Sequence, residues 1–525
     1  MLRRRFLQLA GAGLAMPAVA RAAGSDRVLR FVPQADLALL DPIVTTAFVT
    51  RNHGFMVFDT LYGVDDAYVA RPQMVAGHVV ERDGLLWRLT LRDGLRFHDG
   101  EPVRGRDVVA SLGRWGARDL YGFDLMAAID EMTAPSDGEV RIRLKRPFPT
   151  LPDVLGKANT NMPCIMPERL ARLDPFKPVP EVIGSGPFRF LAAERVPGAR
   201  NVYERFAAYV PREGGTPSFL AGPKVAHLDR VEWRTMPDAA TAAAALQTGE
   251  IDWWEQPIPD LVASLNRDRD LRTEVQDEAG FLGLMRVNHL QPPFDNPALR
   301  RALLMGLSQA DVMTAVAGDD PKMWRDGIGY MTPGPMANEA GMGRLSSTPD
   351  LAKAKAAVQA SGYRGERVVF MAPTDFPSIN AMSEVTADMF RRIGLNVDYQ
   401  AMDWGTMVQR WSSTQPVSAG GWSALCVFTT AVCTITPADN KFIRGIGSRG
   451  IYGWPTSTAL EAMRDEYLAT SDPAAQLAIC RRLQEQAFED VPYLPLGVFF
   501  QPTARRSTVT GLLKGFPLFY NVRKA

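Results

Sequence analysis

Cysteine and histidine are scarce in this chain: four and five residues among 525. Cys164, Cys426, Cys433 and Cys480 are too few for a disulfide framework and form no C-x-x-C pair. Cys426 and Cys433, seven apart in one segment, either pair in an oxidising compartment or remain two buried thiols, and Cys480 falls on the apolar side of a predicted helix. The histidines stand at least twenty residues apart, which leaves no paired spacing for a zinc site. No G-x-x-x-x-G-K-[ST] occurs, so the chain is not expected to hydrolyse ATP itself. Gly445 to Gly450 fits G-x-G-x-x-G, but Pro455 blocks the helix that would receive a pyrophosphate. Gly421-Trp422-Ser423-Ala424-Leu425 begins like a nucleophile elbow, yet Leu425 replaces the glycine that lets the strained turn form. No catalytic residue, metal or cofactor is expected.

Long apolar runs are missing too. The stretch Phe6 to Ala20 is too short to span a bilayer; with Arg3-Arg4-Arg5 before it and Ala20-Arg21-Ala22 after it, residues 1–22 read as a cleaved export signal. Arg3-Arg4-Arg5-Phe6-Leu7-Gln8 resembles a twin-arginine signal, although Leu2 stands where that pattern prefers Ser or Thr and Gln8 where it prefers Lys. No cysteine follows Ala22 to carry a lipid anchor. Beyond the leader no window of eighteen apolar residues appears, so a chain that does not span a membrane is expected. Removing residues 1–22 takes away four arginines and no acid, which leaves 55 basic against 58 acidic residues. That balance argues against nucleic acid as a partner.

Some 500 residues exceed what one core organises, so two or more lobes are expected. Strand-like and helix-like segments alternate. Trp87, Leu89 and Leu91 alternate with Arg88, Thr90 and Arg92, a half-buried strand that Asp93-Gly94 is expected to turn into a hairpin with Leu95 to Phe97. Val108, Val109, Leu112 and Trp115 make one stripe of a helix. Further helices open at Pro237-Asp238, Asn296-Pro297, Asp350, Ile379 and Asp472-Pro473. Gly249, Gly362 and Gly394 stop three of them. Strands are expected at 251–254, 368–370, 395–399 and 494–500. Such α/β alternation predicts layered lobes with ligands at crevices outside strand ends.

Several blocks in order resemble a known family. They are Phe58-Asp59-Thr60-Leu61-Tyr62, the run Trp87 to Gly100 with Asp107-Val108-Val109, Gly184-Ser185-Gly186-Pro187-Phe188, Pro237 to Asp252, and Asn288 with Pro293 to Asn296 and Arg300 to Leu303. Together they resemble the periplasmic solute-binding proteins of ABC importers, family 5, the dipeptide-, oligopeptide- and nickel-binding type. The resemblance implies an α/β fold of two lobes, the type II periplasmic-binding-protein fold in its large peptide-binding class, with an extra domain inserted in the first lobe. Expected bounds are 24–43, 184–262 and 487–525 for lobe I, 44–183 for the insertion and 263–486 for lobe II. It also implies a periplasmic, monomeric, non-enzymatic receptor that captures a small peptide-like solute and delivers it to an ABC permease whose ATPase acts in trans. An exported enzyme or a sensor on the same fold is the alternative.

Binding a solute needs apolar walls and a few oriented polar groups. Trp254, Trp404 and Trp422 fall at or near predicted strand ends, where a tryptophan either walls a cleft or packs in a core. Gly421-Trp422-Ser423 is similar to the family's pocket segment. The resemblance then puts Leu425 where peptide receptors carry the Asp that holds a free ammonium, which weakens a peptide reading; the next acid is Asp439. Thr46 and Arg51 precede the first block, in the stretch that lines the cleft in relatives, and Arg51 suits a ligand carboxylate. Arg286 and Asn288 are implied to flank the inter-lobe region.

Overall fold

The computed structural model describes residues 27–345 and 348–525. The leader expected over residues 1–22 lies outside them. Three main sheets organise the chain. A seven-stranded sheet runs in the spatial order Leu271–Glu274, Thr503–Arg506, Trp253–Trp254, Val28–Val32, Arg230–Arg234, Arg200–Arg205, Phe188–Phe190. A six-stranded sheet runs Trp324–Arg325, Leu494–Phe499, Phe281–Val287, Ala424–Thr430, Arg367–Pro373, Asn396–Met402. The third, Val75–Glu81, Leu86–Leu91, Glu139–Leu144, Ile129–Ser136, is four-stranded and antiparallel.

Local chemistry accounts for the elements. In Leu86–Leu91 the side chains of Trp87, Leu89 and Leu91 are buried while Thr90 is exposed, the period-two pattern of a sheet with one wet face. Helix Gly105–Gly116 buries Val108, Leu112 and Trp115 on one stripe. Asp238 caps helix Ala239–Thr248 by accepting from Thr241 N at 2.7 Å, and Gly249 ends it with φ +79°. Asp472 does the same for Pro473–Asp490, accepting from Ala475 N at 2.8 Å. All seven residues of Phe281–Val287 are buried, as a strand paired on both edges inside a covered sheet requires.

Two expectations are corrected, and the alternative left open at Cys426 and Cys433 resolves to free thiols. Leu95 to Phe97 forms no hairpin with Leu86–Leu91, because both edges of that strand are taken by Val75–Glu81 and Glu139–Leu144; Phe97 N instead donates to Glu101 O at 2.8 Å. Cys426 and Cys433 are free buried thiols. About 13 Å of extended strand separates Cys426 from Thr430, too far for the Cα approach a disulfide needs. The Sγ of Cys426 meets Thr386 Oγ1 at 3.3 Å, and that of Cys433 donates to Thr430 O at 3.0 Å. Two lobe borders also shift. Leu271–Glu274 pairs with Thr503–Arg506 in the seven-stranded sheet, and Leu494–Phe499 pairs with Phe281–Val287 in the six-stranded one. The chain therefore passes between these sheets at 275–280 and 500–502, not at 262 and 487. Positions 262 and 487 fall inside helices Pro259–Leu265 and Pro473–Asp490, and only strand pairing reveals where the chain crosses.

The inserted stretch is tied to the seven-stranded sheet's loops by a buried ion pair. Lys224 Nζ reaches Asp59 Oδ1 at 2.5 Å, and Tyr209 Oη donates to Asp59 Oδ2 at 2.9 Å. Asp59→Asn would leave a buried ammonium without its counter-charge, which costs about 3–5 kcal/mol. The expected outcome is a urea midpoint lowered accordingly, with Lys224→Met recovering part of the loss in the double variant. Additive losses would show that the two groups are not coupled.

Candidate functional site

Strand register decides which end of the six-stranded sheet faces the crossings. Phe281, the first residue after 275–280, pairs with Thr430 and with Phe499, so the crossing end carries Phe281, Thr430 and Phe499. The opposite end carries Val287 and Ala424, about 20 Å along the strand. Gly421, Trp422, Ser423 and Asn288 stand at that opposite end. Trp422 is fully buried, and its Nε1 donates to Trp411 O at 3.0 Å. Asn288 Nδ2 donates to Trp422 O at 3.1 Å, and Ser423 Oγ accepts from Val369 N at 3.1 Å. A Cβ on Gly421 would lie 1.8 Å from Gln415 O. These residues brace the sheet and present no group to a cleft. Leu425 is likewise sealed in the core, so its lack of a carboxylate says nothing about a ligand amine.

Two more candidates are drawn into packing. Arg286 is fully buried, with Nε and Nη2 donating to Tyr452 O at 3.0 and 2.7 Å and Nη1 donating to the carbonyls of Phe442 and Pro492 at 3.0 and 3.2 Å. Burial lowers its pKa to about 10, and every donor direction is spent on backbone. Trp254 packs with Ala242, Leu246 and Ile251 under helix Ala239–Thr248.

Thr46 and Arg51 line two different cavities, and Trp404 belongs to a row of aromatic rings that begins beside Arg51. Helix Phe48–Val57 carries Arg51 over the Phe516 ring at 3.8 Å, with Phe48 at 5.1 Å. Asn52 Oδ1 accepts from Arg51 Nε and Nη2 at 3.3 and 3.1 Å, while Nη1 has no partner. Burial lowers the Arg51 pKa to about 10 against the attraction of Asp277 and Glu255. Glu255 accepts from Asn52 Nδ2 at 2.8 Å and from Gln34 N at 2.7 Å, yet burial still raises its pKa to about 7. Arg51, Glu255 and Asp277 line one small, partly open cavity together with Gln34, Phe281 and Phe516.

From Phe48 an aromatic row crosses to the six-stranded sheet. Phe48 meets Phe281 and Phe428 at ring separations of 5.9 and 6.4 Å, Phe428 meets Phe376 at 5.7 Å, and Phe376 meets Trp404 at 5.4 Å. Trp404 meets Trp411 at 5.6 Å edge to face, and Trp411 stacks on Tyr452 at 4.5 Å. Phe48, Phe376, Trp404, Phe428, Trp411 and Tyr452 are half-buried, which is what a wall facing an opening shows.

Beside Tyr452 a cavity of about 180 Å³ opens, lined from the inserted stretch by Thr46, Arg118, Asp119, Lys157 and Asn159 and from the other side by Asp439, Lys441, Arg444 and Ile451. Lys157 Nζ bridges the two sides, 2.5 Å from Asp119 Oδ2 and 3.2 Å from Asp439 Oδ1. Burial opposes the Lys157 charge, but the two carboxylates hold it above its ordinary range. Asp124 receives Arg464 at 2.6 Å and Arg444 at 3.5 Å. Sequence reasoning missed Lys157, Lys441, Trp411 and Tyr452, all in irregular segments or at helix ends without periodicity to read. Among the described residues no group of three or more His, Cys, Asp or Glu is placed to hold a metal ion, and no helix is long and apolar enough to cross a membrane.

Residues 70–426 match the model of bacterial extracellular solute-binding proteins, family 5. The chain belongs to that family. This family 5 protein is 35% identical to a probable peptide ABC transporter periplasmic-binding protein of Sinorhizobium fredii, with 98% of this chain and 97% of the other covered. It is 26% identical to a glutathione-binding protein of Pectobacterium atrosepticum over 97% and 96% of the two. Among solved structures it is similar to the periplasmic binding protein AgaA of A. tumefaciens R10 in complex with agropinic acid (TM-score 0.78, 19% identity, 95% and 99% covered). It is also similar to DppA of Helicobacter pylori in complex with the peptide STSA (TM-score 0.77, 20% identity, 95% and 98% covered). At those identities the likeness shows the fold: the family's two-lobed α/β architecture.

Glu255 ties the first helix of the site to the seven-stranded sheet and generates a pH signature. The unfolded chain loses this proton near 4.5 and the folded one near 7, so between those values the folded state binds more protons. Stability contributed by the neutral form falls as pH rises from about 4.5 to about 7, by on the order of 3 kcal/mol in all. Urea unfolding at pH 5, 6, 7 and 8 is expected to show this fall in the wild type and a shallower one in Glu255→Gln. Parallel profiles would mean that Glu255 is ionised throughout.

Proposed function

We propose that this protein is the solute-capturing subunit of an ABC importer. It is exported with its leader, by the twin-arginine route, and works in the periplasm as a monomer that binds a small solute without transforming it. The seven-stranded sheet with the stretch 44–183 forms one lobe and its insertion, and residues 281–499 form the other. The passages 275–280 and 500–502 serve as the hinge, and the liganded, closed shape docks on a permease whose ATPase supplies the energy. The observation that carries this reading is the cleft itself: an aromatic row and an adjoining polar cavity, each built from both sides of the crossing. An aromatic wall with a few fixed polar groups is what a solute site requires, and no nucleophile with an adjacent base stands in it. The relatives named for peptide transport and glutathione binding support a receptor role.

The test is a thermal-shift screen of the mature protein against peptides, glutathione, opines, sugars and metal chelates, with mass spectrometry of denatured material to detect a solute carried through purification. A specific solute at a hundredfold excess over Kd adds about 2.7 kcal/mol and raises the midpoint by several degrees. Trp411→Ala, which removes the ring stacked on Tyr452, is expected to weaken that solute on the order of tenfold or more. No shift with any compound and no carried solute would defeat the receptor reading, and conversion of the bound compound would favour an exported enzyme.

A further inference from the structure

Resting on the receptor reading, we propose that the cavity beside Tyr452 receives the carboxylate end of the solute, with Lys441 as its counter-charge and Arg118 beside it. The remainder of the solute then lies along the aromatic row.

The assignment follows from which charges are already spent. Lys157 is shared by Asp119 and Asp439. Arg464 is held by Asp124, and Arg444 by Asp124 and Glu461. Lys441 lines the same cavity and makes no ion pair or hydrogen bond among the described residues; its Nζ lies 5.4 Å from the Phe442 ring, and Asp439 and Asp119, both already held by Lys157, attract it only from beyond ion-pair distance. Arg118 also lacks a carboxylate: Nη2 reaches Val44 O at 3.4 Å, Nε has no partner, and the guanidinium lies over Phe176 at 4.8 Å. Five cations meet four carboxylates around this space, and the unmatched charge is at the two groups that face it.

The carboxylates are engaged in a way that disfavours the opposite ligand. Asp119 Oδ1 accepts from the backbone of Tyr121 and Gly122, and Oδ2 from Lys157. Asp439 Oδ1 faces Lys157 and Oδ2 accepts from Asn159 Nδ2 at 3.3 Å. Asp119 spends three acceptor sites on these donors and Asp439 shares its charge with Lys157, so neither offers a ligand ammonium an unshared negative charge, whereas a ligand carboxylate would answer the surplus positive charge. Burial lowers the Lys441 pKa, so the empty cavity holds its charge at a cost that a bound anion removes. Ile451 lines the cavity and its chain neighbour Tyr452 ends the aromatic row, which puts the cationic pocket next to the apolar wall.

Calorimetry of the mature protein with glutathione, the dipeptide Met-Leu and succinate, each paired with its carboxamide, tests the proposal. The acid of the best-binding pair should bind roughly tenfold to a hundredfold tighter than its amide. Lys441→Gln should close that gap, Lys441→Arg should keep it, and the unliganded melting midpoint of Lys441→Gln should not fall, because an unpaired cation has been removed. Equal affinity of acid and amide, or a gap that survives Lys441→Gln, overturns the carboxylate assignment and leaves the receptor reading standing. Amides that bind tighter than acids reverse the polarity assigned here. Absence of binding by every member of the set, acid and amide alike, overturns this proposal and counts against the receptor reading as well.

Discussion

Two short passages of chain, residues 275–280 and 500–502, make every covalent link between the two large sheets, and a buried guanidinium sits against them. Arg51 stacks on Phe516, and the next residue back, Gly515, donates its N–H to Gln276 O at 2.9 Å. At the end of that same passage Gly280 has φ +71°, and a Cβ there would meet the O of Phe499, the residue before the other passage, at 2.6 Å. The backbone at the crossing is therefore pressed close, and no larger residue fits at Gly280. A buried guanidinium is costly unless its donors and its charge are answered. Here Asn52 answers Nε and Nη2 while Nη1 has no partner, the rings of Phe516 and Phe48 cover its face, and Asp277 and Glu255 attract its charge. Because Asp277 lies on the first passage while Glu255 and Asn52 belong to the seven-stranded side, any change in crossing geometry changes the electrostatic balance around Arg51.

The second constraint acts across the opening and not along the chain. Lys157 collects carboxylates from both sides and Asp124 collects two arginines from across the opening, where Tyr467, Leu468, Ile479 and Cys480 pack into the same apolar cluster as the inserted stretch. Such ion pairs contribute little net stability when their desolvation is counted, but they are particular about geometry. Their role here is to fix the approach of two surfaces, so that Lys441 and Arg118 face a cavity of definite shape.

What was legible in the sequence was local. Asp238 and Gly249, Asn296-Pro297, Asp472-Pro473 and Gly394 punctuate helices through hydrogen bonds and backbone angles that involve only near neighbours, and each element stands where its signals put it. The ordered family blocks were legible for the same reason, since they are short and contiguous. Pairing was not. That Leu86–Leu91 has no free edge, that Leu271–Glu274 joins Thr503–Arg506, and that Trp422 stands about 20 Å of strand away from the crossing all depend on partners scores or hundreds of residues distant. Arg286 illustrates the same limit: a lone arginine in an apolar run suits a ligand carboxylate as well as it suits three backbone carbonyls, and only the fold shows that the carbonyls took it.

The division between strand and irregular chain also explains how one architecture serves different solutes. The sheets set where the cleft lies, through register and through the two crossings, and their buried strands tolerate little change. The groups that face the cavity come from elsewhere: Thr46 before a helix, Arg118 after one, Lys157 and Asn159 in a turn, Asp439, Lys441 and Ile451 in the irregular stretch beyond Thr430. Substitutions there alter charge and shape without disturbing pairing. Structures at 19 and 20% identity can thus share this fold at TM-scores of 0.78 and 0.77 while holding agropinic acid in one and the peptide STSA in the other. Fold and ligand are written in separate parts of the chain, so the identity of the solute has to be argued from the charges at the cavity and not from the family.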